Sequence, residues 1–258
     1  MSKLTSSDIG EILEEAYHQY ATPDFIEHDP IQVPKKFTKK EDIEIAAFLT
    51  STIAWGQRKT IIRNAEKIMQ WMDYAPHDFI LNHTIEERKP FEAFVHRTFN
   101  GTDLSFFLQS LQSIYLTKGG LSSVFQTNNN TETLKESIIH FREAFFAQTA
   151  PQRTSKHVSN PEKGSASKRL VMFLRWMVRP DKEGIDFGLW SHIKPSDLLI
   201  PLDVHTSNVG RKLSLLHRKQ NDWKAVVELS STLAKFNPED PIKYDLALFG
   251  LGVSGTLR

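Results

Sequence analysis

Lys168 and Asp203 are the residues of this chain whose types and settings offer covalent chemistry. Lys168 follows Gly164-Ser165-Ala166-Ser167 and opens a helical pattern over 168–178. Asp203 stands in Pro201-Leu202-Asp203-Val204-His205-Thr206, ahead of an amphipathic pattern carrying Val204, Val209 and Leu213. An aspartate in that place is predicted to cap a helix N-terminus, where free backbone N–H groups and the helix dipole favour a carboxylate. A deprotonated lysine amine attacks electrophilic carbon and forms a Schiff base, and a nearby carboxylate stabilises the cation that develops as a leaving group departs. Taken singly, each residue has an ordinary explanation: a cap contributes about 1 kcal/mol, and a lysine at a helix start is usually solvated. It is their order and their flanking residues that set the pair apart.

Gly164-x-x-x-Lys168, followed by Pro201-x-Asp203-x-His205-Thr206 and Arg211-Lys212-Leu213, resembles the active-site half of the helix-hairpin-helix DNA glycosylase superfamily. Endonuclease III and the archaeal 8-oxoguanine glycosylases belong to that group. The resemblance implies an all-α, helix-hairpin-helix glycosylase-like fold with two helical lobes around a cleft, in a single unit spanning 1–258. It implies Lys168 as nucleophile, Asp203 as stabilising carboxylate, and Gly164, Ser165, Ser167 and Arg169 as DNA contacts. The activity implied is removal of a damaged base with strand nicking through a lysine Schiff base. The long step from Lys168 to Asp203 is closer to the archaeal 8-oxoguanine enzymes, which points towards 8-oxoguanine as the lesion. The chain as a whole also resembles a bacterial family of unassigned function, with which it shares the 169–179 helix and the 240–252 ending. Two other readings stand beside this one: a non-catalytic helical module that binds nucleic acid or a protein partner, and a glycosylase scaffold turned to a non-DNA N-glycoside.

Further candidates lie elsewhere. Ala54-Trp55-Gly56-Gln57-Arg58 interrupts two apolar helical patterns. The equivalent turn in the resembled superfamily approaches DNA, so Gln57 and Arg58 are expected to contact the lesion strand, by amide hydrogen bonds to base edges and by phosphate pairing. A plain helix–helix turn with Trp55 as packing has equal standing. Trp176, Trp190, Asp245 and Phe249 are candidates to hold an extruded base by stacking or hydrogen bonds. No His-Glu-x-x-His spacing and no phosphate-binding glycine loop occurs, so neither a metallohydrolase nor a nucleotide-driven motor is indicated. No metal or other cofactor is expected.

The positioning elements read as helices. With 258 residues, 40% of them apolar, the chain can bury a substantial core, and zero cysteines exclude disulfides and a cysteine-ligated iron–sulfur cluster. Asp8-Ile9-Gly10-Glu11 reads as a capping box for a first helix ending near Thr22-Pro23, and Thr38-Lys39-Lys40-Glu41 as another for a helix through Ile53. Helical periodicity follows from Ile61 to Met72, with weaker helices over 76–81, 90–98, 103–116, 121–125 and 131–147. A strand-like patch covers 198–202, and helices are predicted over 222–236 and 241–251, the last capped by Asp240. The segment 148–167 holds prolines, hydroxyl residues and basic groups with little to bury, so a mobile basic loop is expected there.

The net charge of +1 does not advertise nucleic-acid binding, yet cations cluster at 57–59, 153–156, 163–169, 175–182 and 211–219. The partner expected is double-stranded DNA containing a damaged base, bound by a monomer, with charge reversal at Arg153, Lys156 and Lys163 weakening binding and leaving the fold intact. No apolar run reaches membrane-span length and no signal-peptide core opens the chain, so a cytoplasmic address and no membrane partner are expected.

Overall fold

A computed structural model describes residues 4–126, 133–180 and 184–256. The fold is all-α: helices carry the described chain, and the two-stranded hairpin of Val95–His96 and Phe99–Asn100 is the sheet it contains. The chain divides into two compact units, Met1–Glu27 with Lys163–Arg258, and His28–Glu162. The breaks between them in sequence fall after Glu27 and after Glu162.

The first unit begins with α1 (Ser6–Tyr20), and α2 (Pro23–Ile26) follows. The cap of α1 is Thr5, three residues before the expected box: the Thr5 hydroxyl accepts from the Asp8 backbone N–H at 3.2 Å, and the Asp8 carboxylate accepts from that of Thr5 at 2.7 Å. This is the same chemistry in an earlier register, since Thr5-x-x-Asp8 satisfies two orphan donors reciprocally.

The His28–Glu162 unit carries α3 (Lys40–Thr52), α4 (Arg58–Trp71), α5 (Pro76–Asn82), α6 (Lys89–Glu92), strands β1 (Val95–His96) and β2 (Phe99–Asn100), α7 (Gly101–Lys118), α8 (Leu121–Val124) and α9 (Leu134–Phe145). Helix α3 buries Ile45 to Leu49 without interruption, which makes it a central rather than an amphipathic helix. Phe48 at its middle meets Phe107, Phe141 and Phe145 with ring centroids 5.4 to 5.8 Å apart. Each such ring contributes roughly 1.5–3 kcal/mol by burial, so this cluster anchors the unit. The start of α3 differs from expectation, because its cap is Lys39 with no side-chain bond. The helix expected over 90–98 is also replaced: α6 is one turn, and Arg97, with φ 54°, turns the chain into β2. Val95, His96 and Phe99 follow an exposed–buried alternation across that hairpin, a strand period that the helical reading missed. Residues 131 and 132, the expected start of the next helix, lie outside the described residues.

The segment 148–167 is built rather than plain. It contains 3-10 turns at Gln152–His157 and Pro161–Lys163, and Thr154, His157 and Val158 are buried. Polar groups do the anchoring, which explains why a hydrophobicity pattern gave no sign of it: fully buried Asp103 accepts from the Thr154 hydroxyl at 2.8 Å and lies 3.1 Å from Arg153 Nη2.

Returning to the first unit, α10 (Lys168–Val178), α11 (Val204–Lys212), α12 (Trp223–Leu233) and α13 (Tyr244–Ser254) complete the chain, and α13 packs along both α1 and α11. Close approach is permitted by glycines on α13. A Cβ on Gly250 would lie 2.2 Å from the Tyr20 ring, and one on Gly252 would lie 2.8 Å from His205 Cβ. The patch expected as a strand forms none; Ile200 instead donates its N–H to the Ser230 hydroxyl of α12 at 2.9 Å. Asp240 makes no side-chain cap for the Pro241–Lys243 turn before α13, because its carboxylate is taken by Arg179.

Candidate active site

Helix α10 starts directly after a turn that glycine chemistry explains. Gly164 has φ 83°, a left-handed conformation that disfavours a side chain, although a Cβ there would meet nothing within 4 Å. Its carbonyl accepts from the Trp223 N–H at 2.9 Å, and Ser165 bridges Asp222, which fastens the turn to the start of α12. Ser167 is buried with φ 47° and makes no side-chain cap, so no side chain caps α10, which carries no acid in its first turn. Lys168 and Arg169 occupy that first turn. Desolvation pulls the half-buried Arg169 guanidinium down to about 10.

Asp203 caps α11 as its sequence context predicts. Its Oδ1 accepts from the Thr206 N–H at 2.9 Å, and its Oδ2 accepts from Lys168 Nζ at 3.1 Å. The Lys168 side chain is 35% exposed and that of Asp203 15%, so the pair sits at the surface with the carboxylate more deeply set. A carboxylate held by a helix N-terminus and an amine held by that carboxylate can serve together as nucleophile, proton acceptor and cation stabiliser.

Beneath the pair lies a charged network that the sequence reading missed. Lys168 and Arg175 are two helical turns apart on one face of α10. Arg175 donates through Nε to Asp186 Oδ1 at 3.2 Å and through Nη1 to Asp245 Oδ2 on the first turn of α13. Arg179, one further turn along, donates to Asp186 at 3.2 Å, to Asp240 at 2.9 Å and to the Tyr17 hydroxyl at 2.8 Å. Its partners outweigh burial and push its guanidinium above the ordinary arginine range. The signal available in the sequence is Arg175 inside the otherwise apolar run Leu170–Val178 and Arg179 directly after it, since buried cations demand acids as partners.

Asp245 is buried, and desolvation raises its carboxyl to about 6; Arg175 and Lys168 lower it and Asp203 raises it. Phe249, one turn further along α13 and half-exposed, meets the His205 ring edge-on at 5.9 Å. Asp245 and Phe249 thus share the α11-facing side of α13 with Gly252. The two tryptophans are placed otherwise. Trp176 and Trp190 are fully buried, Trp190 packing edge-on against Phe173 at 5.4 Å, so they belong to the core and stack on no ligand from these positions.

Gln57 and Arg58 lie in the His28–Glu162 unit. Gln57 is the exposed cap residue of α4, and Arg58 is its first helical residue. Gly56 before them has φ 101° and lies against Arg97, where an added Cβ would come within 3.1 Å of Nη1. Trp55 stacks on His157 at 6.1 Å, meets His96 edge-on at 4.9 Å, and its carbonyl lies 3.0 Å from His96 Nε2. The turn is therefore held rigidly by buried aromatics rather than by its own length. Among the described residues no cluster of acids and histidines could hold a metal ion, and no helix is long and apolar enough to cross a membrane.

Residues 29–254 match the family described as Protein of unknown function (DUF2400). The chain belongs to that family. No curated protein and no solved structure matches the DUF2400 chain. The match begins after α2 and reaches the last residue of α13, so it leaves out α1 and α2 and takes in every residue of the Lys168–Asp203 site.

Proposed function

We propose that this DUF2400 protein is a DNA glycosylase with associated lyase activity, of helix-hairpin-helix glycosylase type, acting on duplex DNA that contains a damaged base. The observation that carries the reading is the 3.1 Å pairing of Lys168 Nζ, at the open N-terminus of α10, with Asp203 Oδ2 at the cap of α11. In this reading Lys168 gives up a proton, for which Asp203 is the acceptor within reach, and its free amine attacks C1′ of the damaged nucleotide. The C1′–N bond breaks, the base departs with the proton that Asp203 took up, and the Asp203 carboxylate so restored offsets the positive charge on the sugar. Ring opening gives a Schiff base between C1′ and Nζ; loss of the 2′ proton then expels the 3′ phosphate and nicks the strand, and water releases the lysine. Gly164, Ser165, Ser167 and Arg169 surround the start of α10, where free N–H groups and a cation favour a backbone phosphate. Phe249 and Asp245 are assigned to the base, and Gln57 and Arg58 to the lesion strand. The long Lys168–Asp203 step points to 8-oxoguanine as the base.

The test is base release and strand nicking on duplexes carrying single oxidised, alkylated, deaminated or abasic sites. We expect release of one damaged base by the wild type, loss of nicking in Lys168→Gln, and a fall in release of roughly a hundredfold or more in Asp203→Asn with DNA binding kept. Binding to these duplexes with no release of any base would replace the enzyme by the non-catalytic nucleic-acid-binding module.

A further inference from the structure

Asp245, given above to the base and to none of the bond-breaking steps, is a buried carboxylate near the proposed site. Asp245 accepts from Arg175, which stands two turns along α10 from Lys168 and also donates to Asp186. Its helix, α13, packs along α11, the helix that Asp203 caps. Asp245 is therefore tied covalently to one helix of the site and by hydrogen bond to the other. Its side chain is 8% exposed, and its charge acts on both Lys168 and Asp203.

We propose that Asp245 is a positioning residue of the Lys168–Asp203 site whose protonation state sets the charge felt by Lys168. The inference rests on Lys168 and Asp203 being the working pair. When Asp245 is ionised, two carboxylates confront the Lys168 ammonium, one directly and one from beneath. When Asp245 takes a proton, the Lys168 ammonium loses the second of these carboxylates and the Arg175 cation loses one of its acids. Among the described residues, the charged groups acting on Asp245 are Lys168 and Arg175 from α10 and Asp203 from α11, while Asp186 shares Arg175 with it and His205 of α11 meets Phe249, one turn further along α13. On the α1 side, the Glu14 carboxylate accepts from Lys243 and from the Tyr244 hydroxyl. The change falls within the accessible pH range because burial lifts the Asp245 carboxyl to about 6.

The experiment follows the side-chain resonances of Lys168 by NMR against pH, in full-length protein labelled on lysine, with no DNA present. The wild type should show an inflection in the Lys168 signal near pH 6. Asp245→Asn should remove that inflection, and His205→Gln should leave it in place. Absence of the inflection in wild type, its persistence in Asp245→Asn, or its loss in His205→Gln overturns the proposal. If Asp245→Asn fails to fold, Asp245→Glu takes its place, and an inflection at an unchanged pH in that variant overturns the proposal. The readout needs no base release, so failure of the glycosylase reading and failure of this coupling are separate results.

Discussion

Asp103 shows how much one buried residue can organise. It completes a capping box with Asn100 at the start of α7, and its carboxylate lies 2.8 Å from the Thr154 hydroxyl, 3.1 Å from Arg153 and 3.3 Å from His157. Arg153 also donates to the Thr98 carbonyl at 2.8 Å, so it fastens the Gln152–His157 turn to both α7 and the hairpin. This changes what charge reversal should do. Arg153→Glu sets a second carboxylate against a fully buried one and should cost about 2 kcal/mol or more of stability. Lys156→Glu and Lys163→Glu, both at exposed positions, should stay within about 0.5 kcal/mol of wild type. Denaturant unfolding of the three variants checks this; equal stability of all three would mean that Arg153 is as free as its composition suggests. The same contrast explains what the sequence concealed. Lys168 and Asp203 were legible because a helix start and a helix cap are local patterns. Thr154 for Asp103, Asp245 for Arg175, and Asp240 and Tyr17 for Arg179 lie far away in the chain, and no periodicity announces them.

At the scale of elements, periodicity located the helices well and their ends less well. The apolar spacing of Leu13, Ala16, Tyr17 and Tyr20 and of Ile61, Ala65, Ile68 and Met69 is the buried face of α1 and α4. The caps moved because several acceptors compete for each helix start: Thr5 displaces the later box at α1, and the Asp240 carboxylate leaves its own helix for Arg179. The hairpin of Val95–His96 and Phe99–Asn100 was read as helix because its apolar residues fit both periods over so short a run. The packing of α13 gives a test at this scale. Gly250→Ala would drive a methyl to 2.2 Å from the Tyr20 ring, whereas Gly10→Ala meets only the Phe236 ring at 3.4 Å. Overpacking costs about 1–3 kcal/mol, while alanine in a helix gains up to about 1 kcal/mol over glycine. Thermal unfolding should therefore show Gly250→Ala clearly destabilised and Gly10→Ala near wild type or above it. Equal melting temperatures would mean that α1 and α13 do not approach as closely as the structure describes.

At the scale of the whole molecule, the near-neutral charge masks an uneven distribution. Lys163, Lys168 and Arg169 gather at the start of α10, and three helices begin there: Lys168 pairs with the cap of α11, and Gly164 bonds to the start of α12. The elements that present this region were legible as helices. The tie between Gly164 and Trp223 was not, since a single backbone bond leaves no mark on composition. The central claim is that Lys168 is a covalent nucleophile towards DNA. The direct measurement is borohydride reduction of the protein with duplexes carrying 8-oxoguanine, other damaged bases or an abasic site, followed by peptide mapping of any adduct. A trapped protein–DNA adduct is expected whose modified peptide carries the mass on Lys168, and none from Lys168→Gln. The claim is contradicted if the wild type yields neither a trapped adduct nor free base across that panel, or if the adduct maps to another amine and survives in Lys168→Gln.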